Sequence, residues 1–285
     1  MAIHVAMKAV DRQVQTSWTQ SHSRDVAVLL VVAGTLIGVH FWLPERLLSE
    51  FVFTYGEPSL MTAWTAAAVH DSTAHLVSNL AWYGIVIGPA YTLYATWGRR
   101  RLFWLLYGSL LVVTPLTTVA VDYWLLYLRW GLVGPESIAF GFSGVVSAFG
   151  GLLAVGLAGV VTERYSRSIS IVTTVGFVAS GLGIALYQSP LVAIPTVGVL
   201  TVGIVVAVGL GSFWWRSRGL SICGWLSTHQ DAILLFGACG IVVTALVAGM
   251  FSVEAVSGGR VPNVVAHGTG FVTGVSLAAT GLSLL

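Results

Sequence analysis

A serine flanked by glycines, two histidines followed by an asparagine, and a further histidine ahead of spaced glycines are the residues here best suited to chemistry. They lie in three separated segments: His70–Asn79 (HDSTAHLVSN), Gly141–Gly144 (GFSG) and Ala266–Gly274 (AHGTGFVTG). Hydrolysis of an amide requires a nucleophile, a base for its proton, donors for the oxyanion and a path for water. Ser143 offers the nucleophile. Gly141 and Gly144 clear space on either side, so that backbone can approach backbone or substrate. His267 offers the base. Gly270 and Gly274 follow it on one helical stripe, where their small size lets another helix, such as that of Ser143, pack closely. His75 and Asn79 are spaced to share a helix face and to aim two N–H donors at a developing oxyanion. His70 precedes them in the segment leading into that helix.

Taken singly, each signal has a plainer reading. A serine between glycines is ordinary helix packing, and His267 could be a buried helix contact. His75 with Asn79 could be interhelical hydrogen-bonding glue. A metal held by His70, His75 and His267 would lack a Cys or carboxylate to complete it. Cys223 and Cys239 stand at no zinc-like or disulfide spacing. No metal or cofactor is therefore expected. No acidic residue accompanies His267; Glu254 and Arg260 lie in the preceding loop, and Asp71 and Asp122 belong to other segments. A Ser–His dyad is better supported than a triad. His4, His22, His40 and His229 read as solvated or interfacial.

The elements that must position these residues are apolar helices. Of 285 residues 56% are hydrophobic and only 8% charged, and the mean hydropathy is +0.88, which excludes an ordinary soluble domain. The chain reads as an all-α, polytopic transmembrane bundle. Eight apolar runs approach the ~20 residues needed to cross a bilayer: 26–44, 75–97, 102–124, 143–161, 169–187, 191–213, 231–250 and 264–284. Residues 1–24 read as a polar cytoplasmic tail, and residues 25–285 as one integral membrane domain. The first apolar run carries no A-x-A-like cleavage site and reads as a retained signal anchor.

With the N-terminus in the cytoplasm, Lys8, Arg12, Arg24, Arg99, Arg100, Arg101, Arg164, Arg167, Arg216 and Arg218 all fall inside. Only Arg46, Arg129 and Arg260, of thirteen basic residues, fall outside. The spans beginning near His75, Ser143 and His267 then all start at the outer face of a cell membrane. A net charge of +2, dispersed along the chain, excludes a nucleic-acid surface.

In this order, H-x4-H-x3-N, G-x-S-G and A-H-x2-G-x3-G resemble the rhomboid family of intramembrane serine proteases, over residues from about 26 to 284. The resemblance implies a serine endopeptidase with Ser143 as nucleophile and His267 as general base. It also implies an oxyanion site built from the Ser143 backbone N–H, His75 and Asn79. His70 would match a structural or water-facing histidine, Gly141 and Gly144 the glycines flanking the nucleophile, and Gly270 and Gly274 those that let the histidine helix pack. Substrates would be single-pass or multi-pass membrane proteins, cut in the bilayer near its outer face.

Three positions depart from the family pattern. Ser147 stands where an aromatic residue often supports the histidine, and its hydroxyl is left to hydrogen-bond the imidazole. Met61 and Thr62 replace a frequent Trp-Arg pair. Three helices rather than one separate the serine and histidine helices, an insertion of two that preserves the side on which His267 emerges. The loop 251–263, with Gly258, Gly259 and Pro262, is a candidate lid. Two other classes stay open: a catalytically inactive rhomboid-like protein that binds or escorts transmembrane helices, and a small-solute transporter, for which no internal repeat is evident.

Overall fold

The structure is a computed structural model that describes residues 2–188, 230–250 and 264–284. The 191–213 run and the 251–263 loop lie outside these residues. The described helices are α1 (Ala2–Trp42), α2 (Glu45–Phe51), α3 (Leu60–Thr65), α4 (Thr73–Thr96), α5 (Arg100–Asp122), α6 (Ser143–Arg164), α7 (Arg167–Gln188), α8 (Gln230–Met250) and α9 (Val264–Ser283). A 3-10 turn, Ala66–Ala68, follows α3, and a π-helical turn, Tyr123–Arg129, extends α5. Two short strands, β1 (Phe53–Thr54) and β2 (Ile138–Ala139), pair antiparallel.

Among the described residues, four helical stretches are long and apolar enough to cross a membrane: His22–Trp42, Arg100–Arg129, Ser143–Arg164 and Arg167–Ala185. They mark a membrane protein built as an all-α bundle. The helices α4 and α9 fall short of that apolarity for a physical reason. The first carries His75, Asn79 and three tyrosines, and the second His267 and several hydroxyl residues, and much of this polarity faces other helices. At the N-terminus, α1 begins at Ala2, far upstream of its apolar run. Nothing before Gly34 is a Gly or Pro, so no breaker separates the polar residues from the apolar ones.

At the centre lies α6, of whose most apolar window 83% is buried, against 17% for α1 and for α7. A helix apolar all round has to be enclosed. On one side α4 runs parallel to it: Tyr83 packs on Phe142 and Phe149, and the Tyr94 hydroxyl donates to the Leu152 carbonyl. On another, α9 also runs parallel and touches it backbone to backbone. The antiparallel α5 stacks Tyr107 on Phe149, with ring centroids 5.2 Å apart. Parallel to each other, α7 and α8 pack with Phe177 against Gly240 and Gly181 against Thr244.

The remaining helix, α1, crosses α4. The Tyr83 hydroxyl donates to the Leu29 carbonyl (2.9 Å) and is paired with the Tyr107 hydroxyl (2.8 Å). Midway along α1, buried Asp25 accepts two hydrogen bonds from Arg100, at 2.5 and 2.6 Å, and one from Tyr91, which is also paired with His22. The C-terminal end of α1 reaches the start of α4, where His40 hydrogen-bonds Thr73 (3.2 Å).

The chain between α1 and α4 forms a cap over the end of the bundle where α4 and α6 begin. Phe53, Tyr55, Ala63, Ala66 and Val119 make a second small core beneath it. Pro115 inside α5 has no N–H to give the Leu111 carbonyl, and the Trp64 indole of α3 donates there instead, at 3.2 Å.

Candidate active site

The three segments singled out in the sequence meet at this capped end. Ser143 is the first residue of α6. Helix geometry leaves the N–H groups of a first turn without intrahelical acceptors and gives that end a partial positive charge. The approach to Ser143 is held in place from outside the helix: β2 pairs with β1, and the Gly141 N–H donates to the Ala66 carbonyl at 2.9 Å. Gly141 has φ +112°, a conformation that side chains resist. A Cβ there would lie 3.1–3.2 Å from the His75 ring.

His267, in the first turn of α9, reaches Ser143 directly: its Nε2 lies 2.9 Å from Ser143 Oγ. Close helix approach makes this possible. A Cβ on Gly270 would sit 2.1 Å from the Gly144 carbonyl oxygen, and one on Gly274 would sit 1.9 Å from that of Ala148. Only glycine fits at either position. Gly144 itself faces Thr118 of α5, whose methyl would be 3.0 Å from an added Cβ.

The other imidazole nitrogen, Nδ1, lies 3.1 Å from the Met250 carbonyl oxygen. A carbonyl only accepts, so Nδ1 carries the proton and Nε2 presents a lone pair to the Ser143 hydroxyl, the tautomer a general base needs. Met250 ends α8, where carbonyls lack intrahelical partners and the helix carries partial negative charge. The group bonded to Nδ1 is thus a backbone carbonyl at a helix end, which no side-chain pattern could have signalled.

Ser147 is buried and donates its hydroxyl proton to the Ser143 carbonyl at 2.9 Å. It is therefore bonded within its own helix, while the two nitrogens of His267 are engaged by Ser143 and Met250. Met61 and Thr62 fall in α3, away from the dyad, with Met61 67% exposed.

On α4, Ser72 caps the helix by accepting from the His75 N–H (3.2 Å) and donates to Asp71 (3.2 Å). The Asp71 carboxylate in turn lies 3.0 Å from His75 Nδ1. This contact leaves the Nε2 edge of the ring against Gly141, two residues before Ser143. Ser72 and Asp71 are legible in the sequence as a helix-start signal before His75, but the bond from Asp71 to His75 is not. One turn along, Asn79 is buried, and its Nδ2 has no hydrogen-bond partner among the described residues. A buried donor left open is costly and is expected where a transient acceptor arrives.

His70 is buried and sets its ring edge-on to His75, with centroids 5.0 Å apart. Burial, with His75 beside it, pushes His70 down to about 4, so the ring is neutral at pH 7. No groups of His, Cys, Asp and Glu suited to a metal occur among the described residues. The site is not sealed by the described residues: Ser143 is only partly buried, and 33% of the His75 side chain is exposed.

The arrangement comprises a hydroxyl bonded to a base of the correct tautomer, a helix N-terminus and an open buried amide. Those are the parts required for nucleophilic attack on a carbonyl. No protein-family model, curated protein or solved structure matches this chain.

Proposed function

We propose that this protein is an intramembrane serine endopeptidase of rhomboid type, with Ser143 and His267 as its catalytic dyad. The observation that carries this reading is the 2.9 Å contact between Ser143 Oγ and His267 Nε2, made between residues 124 apart in the chain, with Met250 holding the far side of the ring. Ser143 Oγ attacks the substrate carbonyl carbon as its proton passes to His267 Nε2. The oxyanion is received by the Ser143 N–H with Asn79 and His75. The C–N bond then breaks, and His267 returns the proton to the departing amine. Water adds to the resulting ester with its proton taken by His267, and the proton returns to Ser143 as the acid leaves.

Substrates on this reading are membrane-spanning segments that unwind locally to free a carbonyl, which favours helix-breaking or small residues near the cut. Eight spans are the reading that best fits helix direction. Because α7 and α8 run parallel, an odd number of crossings is called for between them, and the apolar run at 191–213 is the candidate. Arg99–Arg101, Arg164 and Arg167 lie at the bundle end opposite Ser143, which supports a cytoplasmic N-terminus and a site that opens to the outer face.

The test is covalent labelling by a fluorophosphonate and cleavage of a reconstituted transmembrane reporter. Wild type should do both, while Ser143→Ala and His267→Ala should do neither and remain folded. Undiminished cleavage by Ser143→Ala would remove the assignment. A folded wild type that neither labels nor cleaves would favour a helix-binding protein without catalysis.

A further inference from the structure

The Asp71–His75 pair is not accounted for by the dyad. Asp71 sits just before α4, its carboxylate held by the Ser72 hydroxyl (3.2 Å) and set 3.0 Å from His75 Nδ1. A carboxylate accepts only, so Nδ1 must carry a proton. The consequence falls on the other nitrogen. In a neutral ring Nε2 is then a bare lone pair; only a ring protonated at both nitrogens can donate from Nε2. That nitrogen lies against Gly141, two residues before Ser143, where a Cβ would be 3.2 Å from it.

We propose that Asp71 is a positioning residue: it fixes the His75 ring through Nδ1–H and supplies the counter-charge for the doubly protonated form whose Nε2–H faces the oxyanion. This inference rests on the proteolytic reading of the site. The charged groups around His75 suit the assignment. Asp71 is the anion bonded to it, and among the described residues His70, His40 on α1 and His267 on α9 are the titratable groups on the surrounding elements. With neutral His70 beside it and His267 required as a neutral base, a positive charge at His75 has Asp71 as its bonded partner. An ion pair across Nδ1 also makes Nε2–H a stronger donor than a neutral imidazole would be. Asn79 lies one turn further along α4 on the same face as His75, with its buried Nδ2 lacking a partner among the described residues.

Two measurements test this. The first, 15N NMR of His75 in detergent-solubilised Ser143→Ala protein, does not depend on activity. The Nδ1 proton should be retained with Asp71 present and the nitrogens should become tautomerically mixed in Asp71→Asn. An Nδ1 signal indifferent to Asp71→Asn overturns the proposal.

The second is a double-mutant cycle on reporter cleavage. Asp71→Asn should lower kcat roughly 10- to 100-fold with KM little changed, short of the ~100- to 1000-fold cost of a deleted oxyanion donor. The same substitution should have no further effect in a His75→Gln background. An equal loss in both backgrounds would mean that Asp71 acts only through the loop, and overturns the proposal. If wild type does not cleave at all while the NMR result stands, the failure lies with the protease reading and not with the Asp71–His75 pair.

Discussion

Replacing Gly270 by alanine tests the geometry of the proposed dyad without touching the side chain of Ser143 or His267. The added Cβ would be 2.1 Å from the Gly144 carbonyl oxygen, whereas real Cβ contacts essentially never fall below 3.0 Å. Both atoms belong to backbone or are fixed to it, so no rotamer relieves the clash. The helices α6 and α9 must separate by at least about 0.9 Å, the difference between those two distances. His267 lies one turn before Gly270 on the same face. Its Nε2 would retreat from Ser143 from 2.9 Å to roughly 3.8 Å, beyond hydrogen-bond range. A misplacement of about 1 Å at reacting groups costs up to about 100-fold in rate, and overpacking costs about 1–3 kcal/mol in stability.

Gly268→Ala is the matched control. It adds the same methyl to the same helix, beside His267, where nothing lies within 4 Å among the described residues. Fluorophosphonate labelling and reporter cleavage, read alongside thermal unfolding in detergent, should show Gly270→Ala folded but about 100-fold slower. Gly268→Ala should match wild type. Full activity in Gly270→Ala would refute the claim that backbone contact between α6 and α9 sets the dyad.

Asn79→Leu removes a buried donor without a partner, so the protein should become more stable by about 1–3 kcal/mol while cleavage falls; lower thermal stability would refute this account of the amide. His70 provides a pH test. Its folded value of about 4 lies below the ordinary 6.5, so the unfolded chain takes up the proton first. The stabilisation is complete above pH 6.5 and is lost as pH falls towards 4, about 3 kcal/mol in all. Unfolding measured between pH 7.5 and 4.5 should therefore show a steeper loss in wild type than in His70→Phe. Asp25→Asn should weaken the hold of α1 on α4 and α5 by about 1–3 kcal/mol. The lower end is expected because 41% of the Arg100 side chain is exposed, and the readout is again thermal unfolding.

The dyad and its helix starts were readable because they are written in side chains and periodicity. Ser143 heads an apolar run, and the Gly270–Gly274 stripe shares a face with His267. Helix starts fall within two residues of the apolar runs except at α1, where the polar residues before the run continue the helix unbroken. Met250 was unreadable, because what it contributes is a carbonyl that any residue at the end of α8 would carry. Ser147 illustrates the opposite limit. Its hydroxyl was visible, but within a helix the carbonyl one turn back competes for such a proton, and here it is the acceptor observed. Asp71 lay in plain view four residues before His75, yet the bond depends on Ser72 capping the helix between them.

The missing amide of Pro115 has a mechanical consequence. Because Trp64 donates to the carbonyl that the proline strands, lifting α3 from α5 would strip that acceptor of its donor. The cap is thus latched along its α5 edge. On the protease reading, a substrate would reach Ser143 by an edge other than this one.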